Sequence, residues 1–223
     1  DWQAHAWVPD VALVAQGANA PGVTLGAHAP PQLVQGGVET DSSGTRRAQL
    51  FVPQGTTAAL REPDGTFLPV SQLTVRVVEY TVGEDGPAAM PAPLPPNSGY
   101  TYAVDYSADE ASQAPGPSVI FSQPVIHYVE NFLQFPIGGV VPVGYYDMAK
   151  ATWVASDNGR VVAIVDVANG AADLDVDGSG VAADSPSLKA LGISTAERQM
   201  LATQYPAGQQ LWRVPIPHFS PWD

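Results

Sequence analysis

Not one of the 223 residues is cysteine, which excludes disulfides, thiol nucleophiles and cysteine-ligated zinc or iron–sulfur centres. Cations are scarce: 9 Lys and Arg face 22 Asp and Glu, for a formal charge of −13. Nucleic acid and anionic membrane surfaces are bound through clustered basic residues, so neither is expected as a partner. No apolar run reaches the roughly 18 residues of a membrane-spanning helix. The opening stretch DWQAHAWVPD has neither the basic nor the apolar region of a signal peptide. His5, His28, His127 and His218 are scattered without HxxxH or HxH spacing, which argues against zinc. GxSxG, P-loop and GxGxxG patterns are missing too, and the glycine pairs in QGGVE and IGGV read as turns.

What is present is a globular composition, 45% hydrophobic and 14% charged, with enough length for one large or two small domains. Twenty-two prolines and 21 glycines punctuate it too often for long helices. Between them lie RAQLFV, LTVRVVEYTV, YTYAVDYS, SVIFSQPVIHYVE, VPVGYYD and VVAIVDV, short runs rich in β-branched and aromatic residues. In one of them Val75, Val77, Glu79 and Thr81 alternate with Thr74, Arg76, Val78 and Tyr80, a half-buried strand whose polarity changes face part-way, as at a bulge or twist. Asn158-Gly159 is expected to turn a tight hairpin between two apolar runs, and EPDGTF and GEDGP mark further turns. GPAAMPAPLPPNSGY should be an extended crossover. Ser185 is expected to cap a short helix with Pro186 at its start and Gly192 past its end. Ser194-Thr-Ala-Glu197 reads as a capping box opening a second helix, and QQLWRVPI as a closing strand. The expected fold is mainly β: a β-sandwich with short hairpins, a calcium-type loop and two short helices before the last strand. Residues 1–44 read as an N-terminal strand segment, 45–167 as the sandwich, and 168–223 as the loop, helices and closing strand.

ADLDVDGSGVAAD is the stretch most like a chemical specification. With Asp173 as position 1 of a twelve-residue calcium loop, Asp175 and Asp177 fall on positions 3 and 5, and Gly178 on the sharp turn at 6. Ser179 offers its carbonyl at position 7, and Asp184 takes position 12. Alternating acids in a tight turn bring hard oxygen ligands to one point, and without a cation they repel. Asp184 is shorter than the usual glutamate, and Val181 leaves position 9 to a water. The expected ligands of a structural calcium are thus Asp173, Asp175, Asp177, Ser179 and Asp184. The alternative is a solvated acidic turn.

Glu79, Asp105, Glu110 and Glu130 are candidate glycosidase acids, but spacing places no two at the required separation. Five tryptophans offer either a sugar-binding face or core packing. RRAQLFVPQGTTAAL, LTVRVVEYTVGEDGPAAMPAPLPPNSGYTYAVDYSADEA, QPVIHYVENFLQFPIGGVVPVGYYDMAKATWVASDNGRVV and ALGISTAERQMLATQYPAGQQLWRVPIPHFSPWD together resemble a module of bacterial RHS (YD-repeat) proteins, over roughly residues 45 to 223. The resemblance implies an accessory β module of a secreted or surface-exposed bacterial polypeptide, preceding a YD-repeat shell and partnered by neighbouring domains. It implies no small-molecule reaction. The end of the chain, PHFSPWD, resembles the self-cleavage site of β-sandwich domains in inflammasome sensors and related death-domain proteins. That resemblance implies attack of the Ser220 hydroxyl on the Phe219 carbonyl with His218 assisting, and an acidic residue to orient His218. In the plainer reading, Phe219 and Trp222 plug the core and Ser220-Pro221 is an exit turn. The expected function is a non-enzymatic structural or adhesion module stabilised by calcium; the alternatives are a self-processing domain cut before Ser220 and a module binding a surface glycan or protein.

Overall fold

Strands buried on one face alternate in polarity, whereas strands buried on both read as nearly unbroken apolar runs. This chain contains both kinds, and they build different layers. The computed structural model describes residues 20–62, 64–82, 86–95, 102–111 and 119–223. The strands begin with β1 (Gly22–Thr24), β2 (Gln32–Asp41), β3 (Gly44–Val52), β4 (Ala58–Arg61) and β5 (Phe67–Val70). They continue with β6 (Gln72–Glu79), β7 (Val104–Ala108), β8 (Val119–Glu130), β9 (Val140–Val141) and β10 (Gly144–Asp147). β11 (Thr152–Ala155), β12 (Gly159–Ala168) and β13 (Ala171–Asp175) come next. Helices α1 (Ser185–Ala190) and α2 (Thr195–Gln204) precede β14 (Gln210–Phe219) and β15 (Pro221–Trp222).

One sheet runs β1-β6-β7-β15-β10-β11; the other runs β13-β12-β14-β8-β3-β2, with β4, β5 and β9 paired beside it. The pairings are antiparallel. The main core lies between the sheets, where Leu73, Val75, Tyr106 and Trp222 from one meet Leu50, Val129, Val161 and Ile216 from the other. A second core lies on the far face of the larger sheet. There Phe51, Tyr128, Ile164 and Leu211 meet Leu188, Ile193, Leu201 and Tyr205 of the helical segment. The larger sheet is therefore covered on both faces, and β8, β12 and β14 carry long buried runs, while β7 in the other sheet alternates strictly.

The mainly-β sandwich and the two helices before the closing strand are as the sequence implies. β1 and β2 are built into the smaller and larger sheets respectively, and β14 sits in the middle of the larger one. The EPDGTF turn joins β4 to β5, with Gly65 at φ 85. In the Pro-rich segment a 3-10 turn (Pro87–Ala89) is followed by irregular backbone to residue 95. GEDGP includes residues outside the described ones.

Three local expectations are corrected. Asn158-Gly159 does not turn a hairpin: β11 pairs with β10 in the smaller sheet, β12 belongs to the larger, and neither residue has a positive φ. Gly159 instead allows close approach of β14, because a Cβ there would lie 2.6 Å from Val214 Cγ2 and 2.7 Å from the Arg213 carbonyl. The tight hairpin turn is Asn169-Gly170, at φ 52 and 75, joining β12 to β13. The polarity change in β6 needs no bulge, since its pairing with β7 is regular from Val75 to Glu79. Glu79 faces inward because buried Arg46 is there: Arg46 Nε donates to Glu79 at 2.6 Å and Nη2 to Asp41 at 2.7 Å, with the guanidinium 4.3 Å from the Phe132 ring centre. The hydrogen bond from Arg46 holds the Asp41 carboxyl down to about 2. Finally, the cap of α1 is Asp184 rather than Ser185, because the Asp184 carboxylate accepts from Ser187 N at 2.8 Å.

Candidate functional site

Two polar places stand out, and the first is the acidic loop. β13 delivers Asp173 and Asp175 into it, and Ala183 N closes it by donating to the Leu174 carbonyl at 2.7 Å. Asp175 is 1% exposed and accepts at both carboxylate oxygens. One carboxylate oxygen accepts from Asp177 N at 3.0 Å and Gly178 N at 2.8 Å, and the other from Gly180 N at 2.8 Å. Gly178 and Gly180 supply the left-handed backbone, at φ 85 and 75, that turns those amides inward. Asp177 accepts from Ser179 N at 3.0 Å, and bonds to the Ser179 hydroxyl and amide hold its carboxyl below the usual range. Asp184 is lowered likewise by the hydroxyl and amide of Ser187. Asp173 pairs with Arg198 of α2, whose Nε also donates to the Ala172 carbonyl at 2.6 Å. The loop is pressed against residues 136–139: a Cβ on Gly138 would lie 2.4 Å from Asp177 backbone carbon, and one on Gly178 2.7 Å from the Ile137 carbonyl. Mutual repulsion of the acids is thus relieved by Arg198 and by backbone N–H groups.

This donor set fits a resident calcium only in part. Asp175, Asp177 and Ser179 share one tight turn, while Asp173 is drawn to Arg198 and Asp184 to the helix cap. Among the described residues no three His, Cys, Asp or Glu side chains are grouped as metal ligands.

The second place is the junction between the last two strands. β14 lies in the larger sheet and β15 lies between β7 and β10 in the smaller one, so the chain changes sheets at Ser220. Pro215 and Pro217 are tolerated in β14 because β12 pairs only with residues 210–213, leaving one side of the later residues free of a ladder. The pairing of β14 with β8 slips between Ile216 and His218. Phe219 is sealed in the core, edge-on to Phe121 at 5.0 Å and stacked on Tyr106 at 5.8 Å. Beyond the junction, Trp222 pairs with Val104 on one side and Tyr145 on the other. Both sides of the Phe219–Ser220 bond are therefore clamped, each by a different sheet.

At that bond Ser220 Oγ lies 2.9 Å from His218 Nδ1. The His218 ring stacks on Trp222 at 5.0 Å and meets Tyr145 edge-on at 4.5 Å. Burial lowers the His218 pKa, opposed by a hydrogen bond to the Phe219 backbone and by the charge of Asp147. Burial thus favours the neutral imidazole. With Nε2 protonated, Nδ1 accepts the Ser220 hydroxyl hydrogen, the arrangement of a general base beside a nucleophile. Asp147 caps its own turn, accepting from Ala149 N and Lys150 N, and pairs with Lys150 at 2.8 Å.

Other sequence candidates are dispersed. His28 is exposed, whereas His127 is buried with Nδ1 2.6 Å from Tyr106 Oη. Glu79 pairs with Arg46, Glu110 accepts from Thr74 N, Glu130 accepts from Arg47 N, and Asp105 bonds to Ser107. Trp212 and Trp222 are core residues, and half-buried Trp153 stands edge-on to Tyr146. Sequence reasoning missed Asp147, Tyr145 and Trp222 around His218 and Arg198 beside Asp173, because sheet pairing and helix docking bring them together. His5 lies outside the described residues. Among those residues no helix is long and apolar enough to cross a membrane. Protein-family models, curated proteins and solved structures provide no match to this chain.

Proposed function

We propose that this chain is a structural β module of a larger secreted or surface polypeptide of RHS type, and that it severs itself between Phe219 and Ser220. The hydrogen-bonding distance of 2.9 Å between Ser220 Oγ and His218 Nδ1, at the bond where the chain changes sheets, carries the self-processing part. The RHS context rests on the sequence resemblance.

In the reaction, His218 takes the hydroxyl proton as Ser220 Oγ adds to the Phe219 carbonyl carbon. The carbon–nitrogen bond then breaks and the proton passes to the departing Ser220 amine, leaving an ester. Water hydrolyses that ester to a Phe219 carboxylate and a Ser220 with free hydroxyl and amine. The carbonyl within reach of the pair is the chain's own, so turnover of separate esters, glycosides or peptides is not expected. The new N-terminus leads directly into β15, which stays paired with β7 and β10, so the fragments should co-purify under native conditions and separate on denaturation.

The test is a polypeptide continued past Asp223, expressed as wild type, Ser220→Ala and His218→Ala. The expected result is two fragments from the wild type, the second beginning at Ser220, and one intact chain from each variant. An intact wild-type chain, or cleavage that persists in Ser220→Ala, would leave a module without self-processing. Within the same proposal calcium is a stabiliser held by Asp175, Asp177 and the Ser179 carbonyl, with no part in the cleavage.

A further inference from the structure

Between β6 and β7 the chain runs through residues 90–95, Met-Pro-Ala-Pro-Leu-Pro, in which every residue is a proline or stands before one. Proline holds φ at about −65°, and the residue before it is driven out of the helical region, so the segment is extended before anything touches it. It belongs to no strand, and none of its backbone amides donates to another described residue. Its contact is with the outer face of the smaller sheet, where Trp153 Nε1 on β11 donates to the Ala92 carbonyl at 3.2 Å. Tyr146 pairs with Trp153 in register and stands edge-on to it, the ring centres 5.5 Å apart. Tyr145, next to Tyr146, shares the core side with Trp222, so Tyr146 and Trp153 share the opposite face. Among the described strands β11 pairs with β10 alone, which puts the two rings at the margin of the sheet. Along the segment Met90, Ala92 and Leu94 are half-buried, and the prolines between them are exposed.

We propose that Tyr146 and Trp153 are a docking site for extended proline-rich segments, filled here by residues 90–95, and that such a segment of another polypeptide takes their place. The chemistry is that of polyproline recognition. An extended chain leaves its carbonyls free, an indole N–H supplies a donor for one of them, and the aromatic rings offer apolar surface beside it. Little conformational freedom is lost on binding, because the prolines have removed it beforehand. The seated segment defines the ligand: prolines at alternate positions keep it extended, and the apolar residues between them are the half-buried ones. Residues 90–95 carry no charge, so a segment like them meets no repulsion from a chain of formal charge −13. Because the segment lies outside the strand ladders, it can leave without breaking either sheet. While it stays, it competes at an effective concentration on the order of millimolar, which masks the rings from a partner without abolishing the site.

The inference is independent of self-cleavage and is tested on the chain whether cut or uncut. A fluorescein-labelled peptide of residues 86–95 is titrated into the wild type and into a variant whose residues 88–95 are replaced by a Gly-Ser linker of equal length, with anisotropy as the readout. Competition from the cis segment should make the peptide bind the wild type about tenfold more weakly than the linker variant. In the linker variant, Trp153→Phe keeps a ring but loses Nε1–H, and should weaken binding about fivefold. A peptide with alanine at its three later prolines should bind more weakly as well. No binding to the folded linker variant, or binding untouched by Trp153→Phe, would overturn the proposal. Binding of maltohexaose in place of the peptide would overturn it too and give the rings to a glycan. Should the linker variant not fold, Pro91→Ala combined with Pro93→Ala loosens the cis segment without changing its length. That chain is expected to bind the peptide more tightly than the wild type does, and equal affinity would speak against exchange.

Discussion

The acidic loop and the last strand junction are both polar, both close to glycine or proline, and both at the end of a strand, yet their polar groups are used in opposite ways. In the loop every carboxylate already holds a donor: Asp175 has three amides, Asp177 and Asp184 each cap a turn, and Asp173 has Arg198. At the junction a nucleophilic hydroxyl faces an imidazole, and Trp222 Nε1 and Asp223 Oδ1, in the strand that follows and at its end, are buried without a hydrogen-bond partner in the protein. Groups satisfied locally build structure, while groups left with unused capacity bind or react. If so, substitutions in the loop should change stability and leave cleavage alone, and those at the junction should do the reverse.

The largest effect expected is that of acid, and it belongs to the junction side of the molecule. Full burial lowers the His127 pKa from 6.5 to about 3, so folding favours the neutral ring. Between these values the unfolded chain binds a proton that the folded one does not, and stability falls as pH falls. From the shift between 6.5 and about 3, the His127 contribution lost across that window is on the order of 5 kcal/mol. Asp223 acts the other way: burial raises its carboxyl to about 6, so its protonation favours the fold as pH drops from 6 towards 3.8. Its partial exposure to solvent screens that effect, leaving His127 dominant. Asp41, held down to about 2, adds an acid loss of its own, and Asp105, raised by burial to about 6, opposes it, so denaturant unfolding at a series of pH values should show an acid loss that is steeper in Asp223→Asn and shallower in His127→Phe. An unchanged pH profile in His127→Phe would remove His127 as the acid-sensitive group.

Next in size is Asp175→Ala. It leaves three loop amides without their acceptor at a buried position and should cost about 3 kcal/mol or more. Asp175→Asn should cost less, because its oxygen can keep two of the amides while its NH2 opposes the third. Below their melting temperatures both variants should still cleave at the wild-type rate. Slow cleavage in a folded Asp175 variant would mean that the two regions are coupled and that the contrast between them fails.

The difference between the two regions also governs what could be read in advance. Helix caps, the EPDGTF turn and the apolar strand runs are set by neighbours in sequence, so they were legible. The hydrogen bond between His218 and Ser220 likewise joins residues two apart in sequence. Asn158-Gly159 misled because a glycine serving a turn and a glycine serving the close approach of β14 look alike in one dimension. Glu79 looked like a change of face because its partner Arg46 lies 33 residues away. Arg198 was invisible as the partner of Asp173 because α2 must first dock on β13. The same limit hid Asp147, whose position near His218 depends on the pairing of β10 with β15.

Asp147→Asn therefore probes a smaller effect at the junction. Its charge favours the imidazolium form of His218, which the proposed reaction forms as Ser220 gives up its proton. Removing that charge should slow cleavage about fivefold, near 1 kcal/mol in the barrier, and move the acid limb of the pH–rate profile to lower pH. The Lys150 partner is mostly exposed, and weakening its pair with Asp147 should change stability little. A slower rate with no shift in the profile would assign Asp147 to the turn alone.

The smallest effect expected is that of chelation, and it bears most directly on the comparison. Asp173 and Asp184 are committed elsewhere, so a cation at the loop would have Asp175, Asp177 and the Ser179 carbonyl, fewer ligands than the six to eight that calcium prefers. Such a site binds weakly, in the millimolar range of extracellular modules. At a calcium concentration equal to the dissociation constant, binding adds only about 0.4 kcal/mol by mass action. Excess chelator should then lower the melting temperature by about 1 °C, and Asp177→Asn should erase even that difference. A drop as large as that caused by Asp175→Ala would make the cation, rather than the amides, the main support of the loop. No drop at all, with no heat of binding by calorimetry, would leave the loop held by Asp175, Arg198 and its glycine turns alone.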